Sequence, residues 1–102
     1  MLQLNSEQRR ALRAQAHTLT PVVAIAKNGL SEAVLKEIDR SLTAHELIKI
    51  RVFNDDRAAR EACLAEICEA LDAAPVQHIG KLLVVWREKD REPGGKSKGS
   101  RK

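Results

Sequence analysis

Between a run of apolar, mostly β-branched residues and an amphipathic stretch lies the tetrapeptide Ala26-Lys27-Asn28-Gly29. A strand that stops at a Gly-containing turn and opens a helix gathers unpaired backbone N–H groups at one point, beside the positive end of the helix dipole. Such a corner can hold a phosphate. Asn28 and Gly29 tolerate positive φ, and Gly29 without a Cβ admits a sugar-phosphate backbone closely. Lys27 adds a mobile positive charge. The competing reading is an ordinary strand-to-helix connection, in which Gly serves geometry alone. Glu32 argues for that alternative, since an acid in the first helical turn suits the dipole but repels an anion.

Two further cationic groups could widen a polyanion site. Arg9, Arg10 and Arg13 are three and four residues apart and so share a helix face, with His17 one turn on. Lys49 and Arg51 alternate with apolar residues, and two cations side by side on a strand are unfavourable unless an acid or a polyanion answers them. Other chemistry finds no starting point. His17, His45 and His78 fall in separate elements without ligand spacing, and no Ser/His/Asp group or close carboxylate pair presents itself. Cys63 and Cys68, five apart on a helix, diverge by about 140°, which suits neither a disulfide nor a paired metal site. Phe53 and Trp86 are the whole aromatic content, which argues against stacking of successive bases.

The elements that must position these groups follow from periodicity. The first helix is predicted from Ser6 to about His17, with Asn5 as N-cap and Gln8 completing a capping box. Val22 to Ala26 reads as a continuous strand covered on both faces. A second helix runs from about Ser31 to Thr43, with Leu30, Val34, Leu35, Ile38 and Leu42 inward. Leu47 to Phe53 alternates, placing Ile48, Ile50 and Val52 on one face and Lys49 and Arg51 on the other. Asn54-Asp55-Asp56 turns the chain and caps a third helix to about Ala73, with Ala59, Cys63, Leu64, Ile67, Ala70 and Leu71 inward and Pro75 as its stop. Val76 to Ile79 and Leu82 to Arg87 pair through Gly80-Lys81 as a two-residue hairpin with Gly first. The fold class is therefore α/β: a single compact domain in the order α-β-α-β-α-β-β, three helices on a small mixed four-stranded sheet. Its first three strands run parallel by the crossover rule.

At 102 residues the chain is one domain. Its net charge of +4 is unevenly placed. Residues 1–92 hold fourteen Lys or Arg and fourteen Asp or Glu, whereas 93–102 hold Lys96, Lys98, Arg101 and Lys102 and no acid. Residues 89–102 therefore read as a basic, disordered tail. Asp55 to Asp72 carries six acids against two bases, so the third helix is an acidic face. With no run of ~20 apolar residues and no signal-like N-terminus, a cytoplasmic location and no membrane partner are expected.

Three segments, TPVVAIAKNGLSEAVLKEIDRSL, HELIKIRV and IGKLLVVWR, resemble the CRM domain, the chloroplast RNA splicing and ribosome maturation module. They are most similar to its bacterial stand-alone, YhbY-type form. The resemblance covers residues 2–88 and implies a fold similar to the C-terminal domain of a bacterial translation initiation factor. It further implies a non-enzymatic protein that binds ribosomal RNA in pre-ribosomal large-subunit particles and assists their assembly, with no cofactor, metal or small-molecule substrate. The family's KH-like GxxG loop falls on Ala26-Lys27-Asn28-Gly29, with Ala26 in place of the first Gly. RNA contact is thus expected at Ala26, Lys27, Asn28 and Gly29, and at Arg9, Arg10, Arg13, Lys49 and Arg51, by a protein acting as a monomer. The alternative is a protein-interaction module that docks a ribosomal protein or assembly factor through the acidic third helix.

Overall fold

The two hydrophobic periods of the sequence sort into seven elements in a computed structural model that describes residues 4–27 and 29–88. In chain order they are α1 (Ser6–Ala16), β1 (Pro21–Ile25), α2 (Glu32–His45), β2 (Leu47–Val52), α3 (Arg57–Leu71), β3 (Ala74–Ile79) and β4 (Leu82–Trp86). Helix starts are where short polar side chains can replace missing backbone acceptors. Asn5 accepts from the Gln8 N–H at 2.7 Å while its own N–H donates to Gln8 Oε1 at 3.1 Å, the reciprocal box expected from sequence. Ser31 and Asp56 cap α2 and α3 through the Val34 and Ala58 N–H groups. Each such cap stabilises by about 1 kcal/mol.

The sheet order is β1-β2-β4-β3. β1 and β2 pair in parallel, and β4 runs antiparallel to both β2 and β3. The first three strands therefore share one direction, and β4 fills the gap between β2 and β3. Gly80 takes φ +54 while Lys81 keeps a negative φ, as a Gly-first hairpin turn requires.

Strand alternation divides the interior in two. Val23, Ile25, Ile48, Ile50, Val52, Leu83 and Val85 face α2 and α3, where they meet Ile38, Leu42, Leu64, Ile67 and Cys68. Leu47, Ala74, Val76 and Val84 face the other way, under Ala16, Leu12 and Leu19 of the α1 region, with Trp86 beside them. Every fully buried Ile, Leu or Val contributes about 1.5–3 kcal/mol. The layers are thus α1, sheet, and α2 with α3. Because α1 lies over β2, β3 and β4 near the start of β2, the opposite end of that sheet face stays open.

That asymmetry corrects several expectations. β1 is an edge strand covered on one face only: Val23 and Ile25 are buried, but Val22 and Ala24 are exposed. A bulge between Pro21 and Val23 accompanies this exposure. Pro75 does not end α3. The helix stops at Leu71, where Asp72 turns left-handed at φ 54, and Pro75 lies inside edge strand β3 at a bulge; an edge tolerates the missing donor. The inward face of α3 carries Arg60 and Cys68, whereas Ala70 is exposed.

Two buried arginines tie the layers together. Arg87, 5% exposed, donates to Asp39 Oδ1 at 2.7 Å, the Asp39 carbonyl at 3.0 Å, Thr43 Oγ1 at 2.9 Å and the Leu71 carbonyl at 3.1 Å. It joins the end of β4 to the ends of α2 and α3. Glu46, between α2 and β2, takes a positive φ of 67, a conformation costing about 1–3 kcal/mol in a residue with a side chain. It is held by its N–H bond to the Leu42 carbonyl at 2.8 Å and by the Arg87 N–H on its own carbonyl at 2.9 Å. No helix among the described residues is long and apolar enough to cross a membrane. The 89–102 tail expected from sequence, with Lys96, Lys98, Arg101 and Lys102, lies outside the described residues.

Candidate nucleic-acid interface

The corner between β1 and α2 is open. Ala26 and Lys27 are exposed and Gly29 is half-buried. The Gly29 N–H donates to the Ala26 carbonyl at 2.9 Å, so it closes the turn itself. Gly29 stands at φ +91, where any side chain is strained although space around it is free. Asn28 lies outside the described residues. The Gly29 donor is thus spent on the turn itself. Val34 and Leu35 give their N–H groups to Ser31, whereas those of Glu32 and Ala33 have no acceptor among the described residues. The exposed Glu32 carboxylate sits in this same first turn and weakens its positive field.

Cations collect on the α1 side of the sheet. Pairing register sets Ala24, Arg51, Leu82 and Ile79 in one row across all four strands, on the face opposite the main core. Arg51 is exposed and Lys49, one step back on β2, is half-buried; α1 leaves this end uncovered. Arg10 and Arg13 are exposed on α1 and Arg9 is half-buried, so the helix cations and the strand cations lie on the same side of the sheet. None of Lys27, Arg9, Arg10, Arg13, Lys49 and Arg51 has an acid within salt-bridge distance among the described residues.

The acids near this corner are answered by the protein's own cations. Lys81 Nζ lies 2.7 Å from Asp55 Oδ1 and holds that carboxyl below its ordinary value, with a smaller contribution from the charge of Lys27. Lys27 and Asp55 are therefore electrostatic neighbours at the ends of β1 and β2. On α3, Glu61 accepts from His78 Nδ1 at 2.7 Å, which lowers its pKa, and Arg57 is 3.7 Å away. His78 Nε2 takes the Arg60 Nε–H at 3.1 Å, and Arg60 also donates to the Asn54 carbonyl at 2.7 Å. This Arg60–His78–Glu61 chain gives His78 a structural role between α3 and β3.

Other chemistry stays unsupported by geometry. Burial raises the Cys63 thiol and pushes Cys68 up to about 12, so neither is a ready nucleophile. Both are free. No three His, Cys, Asp or Glu side chains converge on a metal-sized site among the described residues. An open groove of about 610 Å³ between the ends of α1 and α2 is lined by Leu19, Val22, His45 and Leu47 with no Lys or Arg, apart from the cationic corner.

Comparison with known proteins fits this frame. The CRS1 / YhbY (CRM) domain matches residues 4–87. The chain belongs to the CRM domain family. Among similar CRM relatives is an RNA-binding protein of Haemophilus influenzae, 42% identical over 85% of this chain and 88% of that protein. Another, named a probable RNA-binding protein, comes from Pseudomonas aeruginosa and is 41% identical over 83% of this chain and 82% of its own length. The solution structure of a hypothetical Staphylococcus aureus protein, proposed to bind RNA, superposes with a TM-score of 0.79 at 34% identity, covering 87% of this chain and 93% of that one. The CRM-type architecture of three helices on a mixed four-stranded sheet is thereby shown, and these relatives are named as RNA-binding proteins rather than enzymes.

Phe53 counts in the sequence only as one of two aromatics and not as a residue of this corner. Phe53, just past β2, is 44% exposed, and its N–H donates to the Ile25 carbonyl at 2.8 Å, immediately before the loop. The Arg51 guanidinium carbon lies 5.1 Å from its ring centroid. The alternation that turned Lys49 and Arg51 outward carries on to Phe53, and that was the available signal.

Proposed function

We propose that this protein is a non-enzymatic RNA-binding protein that associates with ribosomal RNA in large-subunit precursors and assists their assembly in the cytoplasm. One observation carries the reading most directly. The β1–α2 corner is exposed and carries Lys27, the Glu32 and Ala33 N–H groups have no acceptor among the described residues, and Lys49, Arg51 and the α1 arginines share one side of the sheet. A phosphate at the mouth of α2 would meet amides and a positive dipole, and the next phosphates would run toward the strand cations. Such contacts fix position without reading sequence. Family membership and the names of the relatives support RNA over other polyanions.

The test is filter binding of a large-subunit ribosomal RNA fragment by Lys27→Ala and Lys27→Glu variants. Gly29 is a poor target, because its φ of +91 would confound binding with turn strain. Affinity should fall for Lys27→Ala and further for Lys27→Glu at unchanged thermal stability; equal affinity for all three proteins removes the corner from the mechanism. The alternative, docking of a ribosomal protein through α3, has the exposed Glu66 and Glu69 in its favour. A pull-down of assembly partners that survives nuclease treatment would select it.

A further inference from the structure

The open end of the sheet combines charge with apolar surface in a way that backbone contacts alone do not use. Among the described residues the exposed large hydrophobic side chains are Val22, Phe53 and Ile79, and Phe53 stands nearest the candidate phosphate corner. Its backbone bonds directly to Ile25, the residue before the loop, and its side chain shares the α1 side with Arg51. The guanidinium covers part of the ring, yet 44% of the residue remains in water. A half-exposed phenyl ring whose backbone is tied to Ile25 and which carries Arg51 on it offers little to a folded core, whereas a planar base finds both a stacking face and a countercharge there.

We propose that Phe53, with Arg51 packed on it, is a stacking platform for one unpaired base of single-stranded RNA whose backbone runs along the β1–α2 corner. The proposal rests on the RNA-binding reading and deepens it by naming the kind of RNA: a strand with at least one base free of pairing. A base within a duplex is stacked on its neighbours and cannot reach the ring. The occupant is a nucleobase rather than an apolar peptide because Arg51 stands against the ring with Lys27 at the same corner, and the two acids that follow Phe53 are engaged within the protein, Asp55 by Lys81 at 2.7 Å and Asp56 as the cap of α3. One platform also agrees with the sparse aromatic content: it anchors a single nucleotide and does not read a series.

Binding of a labelled single-stranded RNA and of a hairpin duplex of equal length, at one salt concentration, tests this in the full chain. Phe53→Ala should weaken single-strand binding roughly five- to 150-fold, the range for losing one stacked base, and leave duplex binding unchanged. Phe53→Trp should keep single-strand affinity, and in a Trp86→Phe background its fluorescence should be quenched by the single strand. Unchanged single-strand affinity for Phe53→Ala, while Lys27→Ala still weakens it, overturns the platform and leaves the corner standing. Equal losses toward both RNAs also overturn it, because Phe53 would then only prop the loop. Should the wild-type protein bind neither RNA in a salt-dependent way, the underlying reading fails and the platform with it.

Discussion

Salt dependence measures how many cations meet RNA, and the proposed interface names which ones should count. Six of these have no described acid partner: Lys27 at the β1–α2 corner, and Arg9, Arg10, Arg13, Lys49 and Arg51 on the α1 side of the sheet. The sequence adds Lys96, Lys98, Arg101 and Lys102 in the tail. For a single strand each phosphate contact contributes about −0.7 to the slope of log K against log salt, so the full chain has a ceiling near −7, of which the folded part supplies about −4. The double substitution Lys49→Gln/Arg51→Gln should make the slope shallower by about 1.4. Arg57→Gln is the control. Arg57 lies on α3, in the layer behind the sheet, and is already 3.7 Å from Glu61. Its loss should leave the slope unchanged. Fluorescence anisotropy with a labelled single strand between 50 and 200 mM salt, about a 300-fold range in affinity for the folded part alone, resolves the difference. If Arg57→Gln flattens the slope as much as the strand pair does, or the pair does nothing, the assignment of the interface to this face is wrong.

Further expectations concern the same residues and the frame that holds them. Glu32→Gln removes the acid from the mouth of α2 and should tighten RNA binding about two- to fivefold, the value of one charge at a helix terminus, in the same anisotropy assay. Arg87→Met deletes four hydrogen bonds of a buried guanidinium but leaves the half-exposed Asp39 free to rehydrate, so urea denaturation should show a loss of about 2–4 kcal/mol. A loss below about 0.5 kcal/mol, the ordinary surface effect, would refute the role given to that residue. Glu61 and Asp55 both titrate below their ordinary values of 4.5 and 3.8, because hydrogen bonds from His78 and Lys81 favour the charged forms. The folded state then holds fewer protons than the unfolded one, so their contribution is present above those values and is lost as pH falls through the folded ones. Glu61→Gln and Asp55→Asn should therefore make stability less steeply pH-dependent below pH 4.5, read by thermal melts. Cys68, raised to about 12 by burial, should resist iodoacetamide at pH 8 in the native state and react once unfolded.

Much of this geometry was legible where local physics decides it. The Asn5 box, the cap of the third helix within Asn54-Asp55-Asp56 and the outward turn of Lys49 and Arg51 follow from side-chain reach and a period of two, and the structure keeps each one. The parallel course of the first three strands followed from the crossover rule, but the rule does not say which strand lies between β2 and β3. Order across a sheet is a tertiary choice. β1 misled because a run of β-branched residues signals burial on both faces, whereas here α1 covers only the far end of that face and the edge stays open. Arg60 and Arg87 were unreadable for a related reason: a charged residue signals solvent unless its partners are known, and those partners, Asn54, His78, Asp39 and Leu71, are 6 to 48 residues away. At the corner, a Gly-bearing turn before a helix was visible, but not that the Gly29 N–H closes the turn on the Ala26 carbonyl.

The central claim is that RNA meets main-chain donors and cations where β1 hands over to α2. Titration of ¹⁵N-labelled protein with a short single-stranded RNA reports on every amide at once. The largest shift changes should fall on Lys27, Glu32 and Ala33 and on Arg51 and Phe53, with α3 silent. Changes centred on Glu61, Glu66 and Glu69, with the β1–α2 amides unmoved, would contradict the account.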